Sequence, residues 1–306
     1  MTIFAKGKRN KMTTTEKKRG VWAATFASVT FGIMPLLSKT VMDKGYSVNT
    51  VVTYRYAIAA ILLFLLIAYK RASFRVTTRQ LLELCLLGAC YPAVTSLLMV
   101  SYTYLSTGIS TSLHFLYPIP VAFLMSFFFK EKITRNILLG IIISIGGVLL
   151  LGFNGEIKLN TVGILLVLFA DLIYAVYLVL INQLSVRRVS GLLFTFYILI
   201  AATFYSFIGG TINGDLQFIK DRDALVLVFM LSLVSTVISN VALVEAVKRI
   251  GSTLTAVLGT MEPLIAVLLG IMINNEPFSF RIGLGMTCIF SAVLIIILRK
   301  KKRKNL

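Results

Sequence analysis

Ten apolar runs, most of them close to twenty residues long, dominate this chain of 306 residues and leave it few ways to fold. A bilayer core about 30 Å thick is crossed by roughly 20 residues of helix, because helix rises about 1.5 Å per residue. Helix is required there because no water is present to satisfy the backbone N–H and C=O groups. The runs lie at about Trp22 to Met42, Val48 to Ala68, Leu81 to Ser101, Leu105 to Phe129, Ile137 to Phe153, Thr161 to Asn182, Leu192 to Ile212, Ala224 to Val244, Ser252 to Ile273 and Ile282 to Leu298. With 58% hydrophobic and 14% charged residues, a water-soluble fold of this length could not hide its apolar surface. The expectation is an all-α membrane protein of ten transmembrane helices.

A formal net charge of +19 would suggest nucleic acid if the cations formed a solvated face beside stacking aromatics. Instead they crowd both ends and the gaps between apolar runs, where they suit anionic lipid headgroups. Cationic segments are retained on the cytoplasmic side of a membrane. Placing the N-terminus there puts 24 of the 31 lysines and arginines inside, against six outside and one, Arg55, within a span. Both termini are therefore expected in the cytoplasm of a cell whose cytoplasmic membrane holds the chain, with basic tails at 1–20 and 299–306. The basic start followed by an apolar stretch resembles a secretory signal, but the stretch is too long for a cleaved one and is expected to remain as the first span.

Sliding the second half over the first gives one register, at an offset of 145 residues. It brings Pro118 onto Pro263, Glu131 onto Glu276, Ile137 onto Ile282, Gly140 onto Gly285 and Leu149 onto Leu294. Helices four and five thus match nine and ten. Each copy, at 21–153 and 161–298, holds five crossings, and an odd number makes the second enter from the opposite face. Inverted repeats of this kind characterise secondary transporters, which bind near the midplane. The chain carries no G-x-x-x-x-G-K-[ST] phosphate cradle and no loop long enough for a catalytic domain, so its own ATP hydrolysis is excluded as the driving force. Cys85, Cys90 and Cys288 lie inside apolar runs without metal-ligand spacing, so no metal or other cofactor is expected.

The two units resemble tandem EamA domains of the drug/metabolite transporter superfamily. The likeness rests on Tyr117-Pro118 through Lys130-Glu131-Lys132 and on Glu262-Pro263 through Asn275-Glu276-Pro277, with Ser38-Lys39, Arg55 and Ala246 through Gly251 in support. It extends from Gly20 to Arg299. It implies a carrier, not an enzyme, that moves amino acids, drugs or other metabolites outward through a central cavity walled by helices one, three, four, six, eight and nine. No cluster of cations inside the spans argues for a phosphate substrate.

Charged groups in mid-membrane cost about 2.5–3.5 kcal/mol on insertion scales and call for a partner, a wet cavity or a protonation change. Asp171 in helix six and Glu262 in helix nine are such groups. Glu262 precedes Pro263, which frees a carbonyl one turn earlier. The competing reading makes each acid a protonated or hydrogen-bonded glue between helices. His114, the only histidine, lies one turn before Tyr117 and Pro118 and suits either proton relay or packing. Tyr117 occupies the repeat position of Glu262. Arg55 is expected to snorkel to the headgroups or to find an ion pair. Asn240 and Tyr91, before Pro92, are expected in interhelical hydrogen bonds or on a cavity wall, and Glu245 in a surface ion pair with Lys248 or Arg249. Glu131 and Glu276 are expected to cap helix ends or mark gates.

The reading is a secondary transporter working by alternating access on a small-molecule substrate, driven by protons, by exchange or by downhill flow. An integral-membrane lipid-modifying enzyme and a non-transporting scaffold are the alternatives, and the former lacks clustered catalytic groups at interfacial depth.

Overall fold

The apolar runs become helices in the computed structural model, which describes residues 14–101, 104–105, 107–152, 160–274 and 279–298. In chain order these are α1 (Thr14–Gly32), α2 (Met34–Asp43), α3 (Val48–Tyr69), α4 (Thr78–Ser101), α5 (Thr107–His114), α6 (Pro118–Phe129) and α7 (Arg135–Gly152). The second half continues with α8 (Thr161–Gln183), α9 (Gly191–Asn213), α10 (Arg222–Ser232), α11 (Ser239–Ile250), α12 (Ser252–Gly259), α13 (Met261–Asn274) and α14 (Phe280–Leu298). A short 3₁₀ turn covers Ser185–Arg188, and a π-helical turn at Leu233–Ile238 joins α10 to α11. Among the described residues every regular element is helical.

Among the described residues eight helical stretches are long and apolar enough to cross a membrane, and two shorter apolar ones, Arg135–Leu150 and Phe280–Ile295, complete the ten runs. Four runs that read as continuous in sequence are irregular within. The first breaks between α1 and α2, where Pro35 falls in the first turn of α2. The fourth breaks between α5 and α6, the eighth widens into the π-helical turn, and the ninth breaks at Thr260. The cap or gate reading of Glu276 and the terminal basic clusters at 1–13 and 299–306 lie outside the described residues.

The helix bounds repeat with the sequence. α5 begins at Thr107 and α12 at Ser252, and each runs eight residues; α7 begins at Arg135 and α14 at Phe280, the same 145 residues apart.

The chain divides into two compact units that each draw on both halves of the sequence. One is Met1–Pro92 with Leu180–Gly251, and the other is Ala93–Val179 with Ser252–Leu306. In the first, α1 packs on α11 and α3 on α9. Lipid is as apolar as leucine, so such contacts depend on close fit more than on apolar burial. Gly20 supplies that fit: a Cβ there would lie 2.5 Å from Ile250 Cγ2. Val41, Val51, Ile219, Ala224, Val228 and Leu231 form a core where α2, α3 and α10 meet.

A polar lattice closes one end of this unit. Ser47 caps α3 by accepting from the Thr50 N–H at 3.1 Å, and its hydroxyl donates to the Asp215 carbonyl at 2.6 Å. Asn49 Nδ2 donates to both Asp215 carboxylate oxygens at 3.0 and 2.9 Å, and Lys44 Nζ meets Asp221 Oδ2 at 2.7 Å. Asp221 in turn caps α10 by accepting from the Asp223 N–H at 2.9 Å. Toward the other end, Arg249 Nε donates to Glu245 Oε1 at 2.7 Å, which is the ion pair expected at that spacing. Lys248 is used differently: its ammonium donates to the Val189 carbonyl and sits over the Phe194 ring.

In the second unit α7 lies along α14, and a Cβ on Gly147 would come within 2.7 Å of the Gly285 carbonyl oxygen. Phe123, Phe127 and Phe128 on α6 are exposed large apolar side chains, as are Ile61 and Leu65 on α3 and Phe204 and Phe207 on α9. Lipid-facing helices expose such residues freely, whereas water would penalise a contiguous face of them.

Candidate functional site

Two broken helices frame the candidate site in the second unit. Pro118 has no N–H to offer the His114 carbonyl, and the Tyr117 N–H takes that carbonyl instead at 3.2 Å, tightening the turn between α5 and α6. Pro263 likewise has no N–H to offer the Gly259 carbonyl in the ninth run, where Thr260 turns back to Val257 through both its N–H and its hydroxyl. His114 and Gly259 are repeat mates, so the proline effect falls at the same place in each copy. Irregular backbone at membrane depth is tolerated where it is buried in protein or lines a cavity.

His114 ends α5, and its Nδ1 lies 2.6 Å from Asp171 Oδ1 on α8. Asp171 is 2% exposed, and its second oxygen, Oδ2, is buried without a hydrogen-bond partner among the described residues. An ionised Asp171 accepts from the Nδ1–H, whereas a protonated one donates to a bare Nδ1. In either arrangement the pair holds a proton between its members, and uptake of a second changes its charge by one.

Aromatic rings surround the pair. Tyr117 and Tyr174 meet edge to face with centroids 4.8 Å apart, and the His114 ring lies 5.8 Å from the first and 5.7 Å from the second. Tyr177 stacks on Tyr174 at 6.1 Å. The Tyr117 ring is buried with its hydroxyl over Gly259, where a Cβ would be only 1.9 Å from the oxygen. Glu262, half-buried in the first turn of α13, stands three residues beyond Gly259, over which the Tyr117 hydroxyl lies. The unit therefore gathers a histidine, two acids and three tyrosines.

Four of the residues singled out in the sequence, Asp171, Glu262, His114 and Tyr117, fall in this cluster. Tyr174, Tyr177 and Gly259 were missed. Tyr174 had a signal, since it stands three residues after Asp171 and shares its helix face. Gly259 had one too, as the repeat mate of His114.

The remaining three, Arg55, Asn240 and Tyr91, belong to the first unit. Arg55 neither snorkels nor pairs with an acid among the described residues. It is 5% exposed and donates from Nε to Thr236 Oγ1 at 2.6 Å, from Nη1 to Met34 Sδ at 2.9 Å and from Nη2 to the Ser235 carbonyl at 3.3 Å. The reason is the π-helical turn, which offers Ser235 and Thr236 to it in place of headgroups. Asn240, expected between helices, donates within its own helix to the Thr236 carbonyl at 2.8 Å. Tyr91 meets Tyr56 edge to face at 5.8 Å. Among the described residues no group of three or more His, Cys, Asp or Glu is arranged to hold a metal.

Apolar helices of membrane-spanning length, broken spans and a buried acid among the described residues fit a multi-pass membrane protein of the transporter class. The chain matches the EamA-like transporter family twice, at residues 18–153 and 161–298, and belongs to it. It is 30% identical over 147 residues to a WAT1-related protein of Arabidopsis thaliana, covering 45% of this chain and 39% of that protein, so the match spans about two-fifths of the plant relative. It is 23% identical over 262 residues to the uncharacterized transporter YetK of Bacillus subtilis (strain 168), covering 81% of this chain and 78% of that one. A protein of known crystal structure shares the fold, with a TM-score of 0.80 at 14% identity over 94% of this chain and 99% of its own.

Proposed function

We propose that the chain is a secondary transporter that exports a small metabolite across the cytoplasmic membrane by alternating access, with His114 and Asp171 as its proton site. The observation that carries the reading is the 2.6 Å contact of a half-buried imidazole with a buried carboxylate whose other oxygen lacks a hydrogen-bond partner among the described residues. A scaffold has no use for an orphaned acceptor in its interior, since such a group is costly to bury. A carrier has two uses for it: a proton in one state, a substrate donor in the other.

The surrounding chemistry favours a substrate with an amine. Tyrosine faces attract a cation, and the Asp171 carboxylate offers it a hydrogen-bond acceptor. Proton and amine then compete for one acid, and that competition couples their movements without a second site. The positive-inside distribution supports an orientation with both termini in the cytoplasm and with Lys70, Arg71, Arg187 and Arg188 toward anionic headgroups.

The test has two stages. Metabolite levels inside and outside cells with and without the chain name the solute, and proteoliposomes of purified protein then measure its flux under an imposed pH difference. Flux that follows the proton gradient in direction and size supports the reading; solute movement indifferent to the gradient removes the proton role, and no movement of any solute removes the transporter.

A further inference from the structure

The first unit contains a buried charge that its own acids do not answer. Glu83 pairs with Arg79 and accepts from Ser185, Asp215 accepts from Asn49, Asp221 holds Lys44 and Glu245 holds Arg249. Among the described residues none reaches Arg55, which is nevertheless 5% exposed. Buried charges in proteins are paired as a rule, because the protein interior does not replace the hydration they lose.

The guanidinium is also incompletely used. Of its five N–H donors, three have partners among the described residues, and one of those partners is the Met34 thioether, a weak acceptor. One N–H on each of Nη1 and Nη2 remains, and arginine uses such donors to hold a planar carboxylate. Thr236 and Ser235 fix the other edge of the fork, and the Tyr56 ring lies 5.5 Å from its carbon. The group is therefore held at a set orientation before any ligand arrives.

The backbone around it is irregular on two sides. Met34 opens α2 just after the break at Ile33, and Ser235 and Thr236 lie in the π-helical turn. The turn is held by side chains: Thr236 Oγ1 donates to the Leu231 carbonyl at 3.1 Å, Ser239 Oγ to the Val234 carbonyl at 2.9 Å and Ser235 Oγ to the Thr30 carbonyl at 2.9 Å. π-Helical turns recur at functional sites in helices, and here one of them and a one-residue helix break converge on one guanidinium.

We propose that Arg55 is a binding site for a small monocarboxylate. The ligand carries a single negative charge because no second cation is hydrogen-bonded or stacked there among the described residues, so a phosphate dianion would leave one charge unanswered. The assignment does not rest on the transporter reading, whose amine substrate is proposed for Asp171 in the other unit.

The experiment is a thermal unfolding series on the purified full-length chain in detergent at fixed ionic strength. Butyrate and benzoate are titrated against butyramide and benzamide, their neutral counterparts of the same shape, with inorganic phosphate as a third arm. The acids are expected to raise the unfolding midpoint saturably and the amides to leave it unmoved. Arg55→Lys, which keeps the charge and loses the fork, weakens the apparent affinity about tenfold or more. Equal shifts from acids and amides, no shift from either, a larger shift from phosphate, or an acid shift that survives unweakened in Arg55→Lys would each overturn the proposal. If Arg55→Lys does not fold, the comparison of acids with amides on the unaltered chain decides. A chain that transports its solute yet shows no acid preference removes this site alone, whereas one that binds acids and moves no solute leaves the site standing and removes the carrier.

Discussion

His114 Nδ1 and Asp171 Oδ1 stand 2.6 Å apart although the two residues are 57 positions apart in the chain. Two side chains that share a proton act as one unit, and removing either leaves the other without its partner. Asp171→Asn and His114→Gln are therefore each expected to lower export roughly tenfold and to weaken its response to an imposed proton gradient. The double variant is expected to be no worse than the weaker single one, because the second change removes a partner already lost. Flux from proteoliposomes under graded proton gradients checks this, and additive losses would separate the two residues.

Gly259 is the floor on which the Tyr117 hydroxyl rests. The Cβ of an alanine there would be 1.9 Å from that oxygen and 3.2 Å from the ring carbon that bears it. A buried tyrosine cannot slide away along its own axis, so Gly259→Ala displaces the ring and is expected to abolish most transport. Tyr117→Phe removes the colliding atom. The pair Gly259→Ala with Tyr117→Phe is expected to recover folding, and more flux than Gly259→Ala alone; recovery of neither would mean that the glycine matters for the turn itself and not for the ring.

What the residues disclosed in advance follows from which interactions are local. Apolar length fixed the ten runs, and the 145-residue register fixed which of them correspond, because both are properties of the chain read in order. Asp171 and His114 stood out separately because a polar group in an apolar run is visible by itself. Their meeting was not visible, since nothing local says which face of α5 turns to α8. Arg55 was misjudged for a related reason: snorkelling was the default, and the acceptors that hold it, Thr236 Oγ1 and the Ser235 carbonyl, arise from a π-helical turn about 180 residues away in sequence. The serines and threonines of that turn were in view, but their bonds to carbonyls five residues back depend on the tertiary setting.

Gly146 and Gly147 are neighbours in α7 with opposite tolerances. A Cβ at Gly146 meets nothing within 4 Å, whereas one at Gly147 comes within 2.7 Å of the Gly285 carbonyl and 2.8 Å of Ile289 Cγ1. Backbone cannot give way as a long side chain can. Gly147→Ala is expected to cost about 1–3 kcal/mol by forcing α7 from α14, while Gly146→Ala is expected to be neutral or mildly stabilising. Thermal unfolding of the two variants in detergent measures the difference directly, and equal midpoints would refute the packing.

Lys44 and Asp221 make a prediction about pH at the polar end of the first unit. The hydrogen bond from Lys44 holds the Asp221 carboxyl below its ordinary range, and the same bond raises the Lys44 ammonium above 10.5. A depressed acid contributes stability above its unfolded value, about 3.9, and loses it as pH falls through the lower folded value. A raised base contributes fully below about 10.5 and loses that contribution only as pH climbs through its higher folded value. The tie is thus at full strength across the neutral range and fails first on the acid side. Both groups are exposed, so salt also weakens it. Hydrogen exchange in the 215–221 segment, corrected for intrinsic rates, is expected to quicken below about pH 4 and in high salt. Asp221→Asn is expected to give the faster rate at neutral pH already. Asn49 and Ser47 still hold Asp215 in that variant, so quickening is expected to be greater near Asp221 than near Asp215; a uniform change along the segment would show that the ion pair does not act on its own.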